Sequence, residues 1–373
     1  MAVVNALLNL FNSPSLGVLT EKRNFGAVTF LGRYGLADVM LSNFSNSGIN
    51  RIGILVDRYS QSMRNHVQSG KAFINNTKIG GLDIIYDELG NLKPQFSNDI
   101  SDLTANITYM EHIVCDYLVI APSNMLMSFD FKQMLKEHVN SGREITMMYQ
   151  HRSDLKKKFL NQSLLTLKED GSVKSLKKND GDSNEGDISL EIYIFNHETF
   201  EQMILEQPIV SLKYGIREMV SYYIRKNKKT VGSYQYDGYL LPIFNLEDYV
   251  EGSFSLLDYK NAKEFFKDNW PIFTTTHDTP PALYGAIAEV KNSFIANGAI
   301  INGRVENSII SRDVIVKEDA VIKNSILFTN TVVEKGMKLE YVLTDKKVVV
   351  GGGNKTNYKG TKKQMLVIKQ GQK

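Results

Sequence analysis

Six aliphatic residues, Ile309, Ile315, Val321, Leu327, Val333 and Leu339, recur at steps of six near the C-terminal end of this 373-residue chain. Ile295 and Ile301 make the same step, two residues out of phase. A six-residue period belongs to neither an α-helix nor an isolated strand. It is the period of a left-handed parallel β-helix, in which each flat side of a triangular coil turns one aliphatic inward. This phase predicts all six side chains in the solenoid core, so that a charge at Val321 opens the coil. A stack of about three coils cannot bury its own ends and needs a domain or another subunit against it.

The first 150 residues obey a different rule. Apolar runs at Val3–Leu10, Ile52–Val56, Leu82–Tyr86, Asp116–Ala121 and Glu144–Tyr149 alternate with helical patterns at Gly35–Ser47, Tyr59–Gln68 and Ser101–Val114. A further helix follows Asp130, a capping residue, and stops at Gly142. Such alternation predicts a mostly parallel sheet with helices on both faces. Ligands of these sheets bind beyond the carboxyl ends of the strands, here after Leu10, Val56 and Ala121. Beyond residue 150 the pattern loosens. A hairpin is expected around Glu169–Gly171, a polar loop over Lys177–Asp187 and a strand over Ile188–Phe195. Helices follow over Glu198–Glu206 and Ile216–Asn227, a strand over Val231–Gln235 and a helix over Leu246–Leu257. The expected organisation is an α/β domain over 1–257, a linker over 258–284, a β-helix over 285–350 and a lysine-rich tail over 351–373.

No run of 18 uncharged apolar residues is present, and the N-terminus lacks the positive region of a signal peptide. The single cysteine, Cys115, permits no intrachain disulfide and fits a buried residue in a reducing cytosol. A cytoplasmic location is therefore expected, with no membrane partner. Ten lysines between Lys335 and Lys373 face only Glu340 and Asp345, so this end carries +8 within a net charge of +3. Only Tyr341 and Tyr358 interleave them, which argues for a solvated tail rather than a nucleic-acid surface.

The end of the first strand carries the sharpest functional signal. An α/β nucleotide site places a glycine-rich phosphate loop there, and Phe11-Asn12-Ser13-Pro14-Ser15 contains no glycine. The words downstream nevertheless resemble the glucose-1-phosphate adenylyltransferases (ADP-glucose pyrophosphorylases). Thr20-Glu21-Lys22-Arg23 with Ala27–Tyr34 is similar to the family's T-x-x-R-x-K-P-A-V-x-F-G-G-K/R-Y/F. Asp38, Leu41-Ser42-Asn43 and Asn46-Ser47-Gly48-Ile49 resemble its I-D-F-x-L-S-N-x-x-N-S-G-I. Glu191–Phe195 resembles its G-I-Y-V-F strand, and Asn269-Trp270-Pro271-Ile272 with Pro280-Pro281 its N-W-P-I…P-P word. The resemblance covers about residues 30–350. It implies a Rossmann-like nucleotidyltransferase (GT-A-like) domain with a mixed, mostly parallel sheet, followed by the left-handed β-helix.

The departures bear on function. The family's G-G-x-G-x-R-L loop falls on Leu10–Leu16; Ser15 stands at its arginine, and Pro14 has no N–H to offer a phosphate. The two family aspartates that hold Mg²⁺ correspond to Ser123 and Pro242. The sugar-side lysine of its F-V-E-K-P word falls on Lys178 or is lost to Asn179. Nucleotidyl transfer rests on positioning and charge neutralisation, and this chain lacks the cradle, the arginine and both carboxylates. No catalytic residue is assigned, and no cofactor is expected to bind productively. The resemblance implies a regulatory subunit that activates a catalytic ADP-glucose pyrophosphorylase, in a heterotetramer whose partner holds Mg²⁺; self-association is left open. The alternative is an active sugar-1-phosphate nucleotidyltransferase with an atypical site. A β-helix acyltransferase is disfavoured because His66, His112, His138, His151, His197 and His277 all precede the solenoid.

Some residues keep functional potential. Lys22, Arg23 and Arg33 stand where the family binds phosphate groups or anionic effectors, or serve as surface and subunit contacts. The family's effector lysine is Phe25 here. Ser189 matches a sugar-side serine and, taken alone, is a strand residue. Asp38 is expected to brace a helix start, and Asn297–Arg304 with the hexad aliphatics to form structure or subunit interface.

Overall fold

The computed structural model describes residues 2–86, 97–106, 114–353 and 355–371. The chain divides into two compact units. One comprises Met1–Ser13, Val39–Leu240 and Asp268–Phe273; the other comprises Pro14–Asp38, Leu241–Lys267 and Thr274–Lys373. Among the described residues no helix is long and apolar enough to cross a membrane.

The first unit is built on a mixed sheet. Strand β1 (Val4–Asn9) lies between β2 (Arg51–Leu55) and β4 (Tyr117–Pro122), with β3 (Gly81–Ile85) beyond β2, all parallel. The continuous apolar run of β1 fits a strand covered on both faces: Ala6, Leu7 and Leu8 are at most 2% exposed. Strand β5 (Ile145–Arg152) pairs parallel with β9 (Val231–Gln235), and β6 (Ser163–Leu167) with β7 (Val173–Lys178) forms the expected hairpin. Strand β8 (Gly186–Asn196) ties them together, antiparallel to β4, β5 and β6. Helices α1 (Leu36–Asn46), α2 (Ser60–Val67), α3 (Asp99–Ala105), α4 (Phe131–Ser141), α5 (His197–Val210) and α6 (Ile216–Lys226) complete the alternation. Asp130 caps α4 by accepting from Lys132 N, and Gly142 ends it at φ +62°.

Several sequence expectations change here. The helix expected over Ser101–Val114 is α3, which starts earlier and ends at Ala105, where Asn106 turns its amide back onto Asp102 O and Tyr86 O. Residues 107–113, with His112, lie outside the described residues. The polar loop over Lys177–Asp187 is shorter, because β7 runs to Lys178 and β8 begins at Gly186. Buried Asn179 fixes what remains, donating to Leu155 O and Phe159 O and accepting from Gly181 N. Two family-like words also prove to be one clamp. Asn43 Oδ1 accepts from Trp270 Nε1 at 2.8 Å, Ser42 Oγ from Phe273 N at 2.8 Å, and Asn46 donates to Pro271 O.

In the second unit the solenoid has three faces of five stacked parallel strands each. The first face runs Leu283–Tyr284, Ile300–Ile301, Ile315–Val316, Val332–Val333, Val349–Val350. The second runs from Glu289–Lys291 to Asn357–Lys359, and the third from Phe294–Ile295 to Leu366–Ile368. Corners turn through left-handed residues, among them Asn307, Asp313, Asn324 and Asn330, side chains that tolerate that region. Helix α7 (Leu246–Ser255) ends just before the expected linker, the linker holds helix α8 (Tyr259–Phe265), and the first solenoid strand begins at Leu283. The expected tail contributes the last strands of two faces.

The inward register differs from the hexad series. Leu327, Val333 and Leu339 belong to the solenoid core, as expected, but Ile309, Ile315 and Val321 do not; their neighbours Ile310, Val316 and Ile322 do. The reason is a short side: Ile322 to Leu327 is five residues, both ends inward. A six-step series crossing it changes face. Ile309 is nonetheless buried, on the outer side of the third face. There an aromatic layer covers the solenoid. Tyr249 packs on Phe30 and Phe328, Phe265 packs on Phe30, and Phe266 on Phe294. Tyr249 also donates to Thr29 O at 2.6 Å.

The corrected register makes an opposed pair of expectations. Ile322→Asp buries an unpaired charge and should lower stability by more than about 3 kcal/mol, read as a fall in the urea midpoint. Val321→Asp, one residue away and facing outward, should change it by less than about 1 kcal/mol.

Candidate functional site

The site expected beyond β1 is built from a loop that uses up its own donors. Leu10 N donates to Leu55 O, Phe11 N to Asn9 Oδ1 and Ser13 N to Leu10 O. Ser13 Oγ also donates to Leu10 O. In the second unit Leu16 N donates to Thr20 Oγ1 and Gly17 N to Ser15 Oγ. A phosphate cradle needs several N–H groups pointing at one anion. Here Pro14 has none, and four of the amides from Leu10 to Leu16 already have internal acceptors. Ser15 is exposed and serves this turn.

The metal positions are equally changed. Ser123, just past β4, is 1% exposed, and its Oγ has no hydrogen-bond partner among the described residues. Pro242 ends a two-residue strand and has no side-chain donor. A neutral hydroxyl and a proline do not fit a divalent cation that needs carboxylate charge. Among the described residues no three His, Cys, Asp or Glu side chains come together to hold a metal.

Two residues at family glycine positions take left-handed backbone. Glu191 occupies the glycine position of the G-I-Y-V-F word and adopts φ +56°. Its N–H donates to Ser189 Oγ, and its carboxylate pairs with Arg217 at 2.9 Å. Ser189 is fully buried within this bulge of β8. Leu31 and Gly32 likewise turn at φ +48° and +74°. Gly32 is required there, since a Cβ would lie 2.7 Å from Ile310 O. Asp38, buried, accepts from Gly35 N at 2.8 Å and braces the start of α1. His138 is held between Thr146 and Asn196, and burial pushes its pKa down. Cys115 is buried, and burial pushes its thiol up to about 11.

Positive charge persists in the second unit. Arg23 pairs with Asp345 at 2.6 Å, while its Nη1 is buried without a partner among the described residues. Lys346 lies beside Arg23 and Arg312; burial, and then Arg23, push its ammonium down to about 8. Arg312 is depressed by burial and then by Arg33, and its Nε is also buried without a partner. Arg33 is exposed, with its guanidinium over the Tyr34 ring. The fold thus links Arg23 and Arg33, singled out from sequence, through Arg312 and Lys346, which were not. Lys22 remains on the surface. Ser189 belongs to the other unit. Asp345, Asp38 and Asp313 lie near these four cations, and the two N–H groups without a partner among the described residues are suited to an anion with several oxygens.

Asp99 was also missed. It is buried and accepts from Asn9 Nδ2, Ile100 N and Ile216 N, so it ties the end of β1 to the starts of α3 and α6. Gly215 is the sequence signal: a Cβ there would stand 2.5 Å from Asp99 Oδ1.

Residues 16–252 match the nucleotidyl transferase family model, and residues 282–363 match the GlmU-like C-terminal hexapeptide model. The chain belongs to the nucleotidyl transferase family, in the group that holds the glucose-1-phosphate adenylyltransferases and GlgD. It is 30% identical to the glycogen biosynthesis protein GlgD of Bacillus subtilis, over 97% of each chain. It is 26% identical to glucose-1-phosphate adenylyltransferases of Clostridium perfringens, over 86% of this chain and 82% of that one, and of Thermotoga maritima, over 83% and 73%.

Burial raises the Asp99 carboxyl to about 6 in spite of its three donors. The folded state therefore binds a proton more tightly than the unfolded chain. This contribution to stability is full below about pH 4 and is lost as pH rises through 6. Asp99→Asn should remove a pH-dependent change of up to about 3 kcal/mol across that window, visible in urea midpoints taken from pH 4 to pH 7.

Proposed function

We propose that this chain is a non-catalytic, regulatory subunit of ADP-glucose pyrophosphorylase. It assembles with a catalytic paralogue, which converts ATP and glucose 1-phosphate to ADP-glucose and diphosphate for glycogen biosynthesis. The observation that carries this reading is the combined loss of the phosphate cradle, its arginine and both metal carboxylates from a scaffold that keeps its backbone. Each lost group acts on the same triphosphate, so no one of them rescues the others. The heterotetramer and the cytoplasmic location are part of this reading.

The chain alone should form no ADP-glucose, and adding it to the catalytic paralogue should raise the partner's diphosphate release several-fold. ADP-glucose formation by this chain alone, abolished by Ser123→Ala, would overturn the proposal.

The cluster of Arg23, Arg33, Arg312 and Lys346 is the anionic-effector site of this subunit. Inorganic phosphate or diphosphate should raise the thermal midpoint of the chain, by the equivalent of about 2.7 kcal/mol at a hundredfold excess over Kd. The paired substitutions Arg312→Ala and Lys346→Ala should abolish that rise. An unchanged rise in the double variant would place the anion elsewhere.

A further inference from the structure

The solenoid stacks its corners as well as its faces. Ile310 is in register with Leu327, and Ile326 with Leu343, so Leu327 lies over Thr344. Arg312, Thr329 and Lys346 each stand two residues past one of these positions and form a single corner column on successive coils. Hydrogen bonds between coils hold that corner: Asn330 N donates to Arg312 O, and Lys347 N to Thr329 O. Two steps of the strand spacing put the Cα atoms of Arg312 and Lys346 about 10 Å apart, a gap that two long side chains can close. Arg23 joins them from residues 14–38 of the same unit through its 2.6 Å pair with Asp345.

Lys346 has no counter-charge of its own in this column. It is half-buried; the neighbouring Asp345 is engaged by Arg23 and by Lys346 N, and among the described residues no carboxylate forms an ion pair with Lys346 Nζ. The charged groups facing Lys346 are Arg23, Asp345, Arg312 and Lys347, and those facing Arg312 are Arg33, Asp38 and Asp313. An ammonium among cations is relieved by losing its proton: burial, and then Arg23, push it down to about 8. The neutral amine that results is a nucleophile. Arg23 Nη1 and Arg312 Nε, meanwhile, are buried with no acceptor among the described residues. An orphan N–H is costly until an oxygen reaches it. The corner therefore holds a nucleophilic amine beside donors suited to a planar, two-oxygen anion.

We propose that Lys346 is a carbamylation site: its amine takes up carbon dioxide, and the two carbamate oxygens accept from the orphan N–H groups of Arg23 and Arg312. Nζ attacks the carbon of CO₂. A C–N bond forms, one C=O π bond opens onto its oxygen, and one proton leaves the nitrogen for solvent; nothing is oxidised or reduced. The cation without a partner becomes the carboxylate that both guanidinium groups lack. The proposal concerns the cations of the effector reading but does not rest on it, because the carbamate forms on the chain alone with no phosphate present.

The test is carbon-13 NMR of the purified full-length chain in labelled bicarbonate without phosphate. It is followed by trapping with a trialkyloxonium salt, which esterifies a carbamate, and by peptide mass spectrometry. The wild type should show a carbamate resonance apart from bicarbonate, and the trapped ester should map to Lys346. Lys346→Arg keeps the charge and cannot form the carbamate, so it should lose that resonance while circular dichroism shows it folded. Arg312→Ala should lower the affinity of Lys346 for carbon dioxide at least about tenfold, through the loss of one charge-assisted bond. No trapped ester at Lys346 in the wild type, a resonance unchanged in Lys346→Arg, or an affinity unmoved in Arg312→Ala would each overturn the proposal. Failure of phosphate to stabilise the chain would strike the effector reading alone, since no phosphate enters this experiment.

Discussion

A parallel β-helix satisfies its interior by stacking, but every flat side has an outer surface that stacking leaves unsolved. In this chain the third face is solved by aromatic cover. Phe30 and Tyr249 are at most 1% exposed, and Tyr249 gives its hydroxyl proton to Thr29 O. That layer draws residues 14–38 into the unit of the solenoid. Val28, Phe30 and Leu36 are fully buried there, and Gly32 approaches so closely that only a hydrogen fits beneath Ile310 O. The stretch following β1 is therefore held by packing. Its structural work needs no phosphate, which is why the loop before it can spend its N–H groups on its own turn.

The pattern of retained and lost features follows from which property each one supplies. Glu191 and Leu31 stand at family glycine positions and still take positive φ. A non-glycine residue there costs about 1–2 kcal/mol, so the surrounding structure must enforce the shape. Glu191 is held by Arg217, and Leu31 by the tight hairpin beside Gly32. Both positions thus take backbone that glycine would adopt without that cost. A serine or a proline at Ser123 and Pro242 supplies no carboxylate charge to offset a divalent cation. In the second unit Arg23, Arg312 and Lys346 gather near Asp345.

Much of the fold was legible. The alternation of strands and helices holds, Val231–Gln235 is a strand as expected, and Asp130 and Gly142 bound their helix. The clamp of Ser42, Asn43 and Asn46 on residues 270–273 was visible only as two separate words. Arg23 and Asp345 are 322 positions apart, so no local pattern announces their pairing. Arg312, Lys346 and Asp99 were overlooked for the same reason: a side chain's partners come from distant segments, and an isolated Arg, Lys or Asp reads as surface.

The sequence by itself determined the class of fold, through its six-residue period and its α/β alternation, and it determined which side chains stand at Ser123 and Pro242. Proline has no side-chain donor in any fold, and no packing turns Ser123 into a carboxylate. Only the tertiary structure decided which aliphatics point inward. A side of five residues among sides of six shifts the phase, and a period read along the chain does not reveal where that side lies. The same shift puts Val316, and not Ile315, in the solenoid core. Which cations meet around Asp345 was likewise decided by folding, because electrostatic neighbours are set by distance in space.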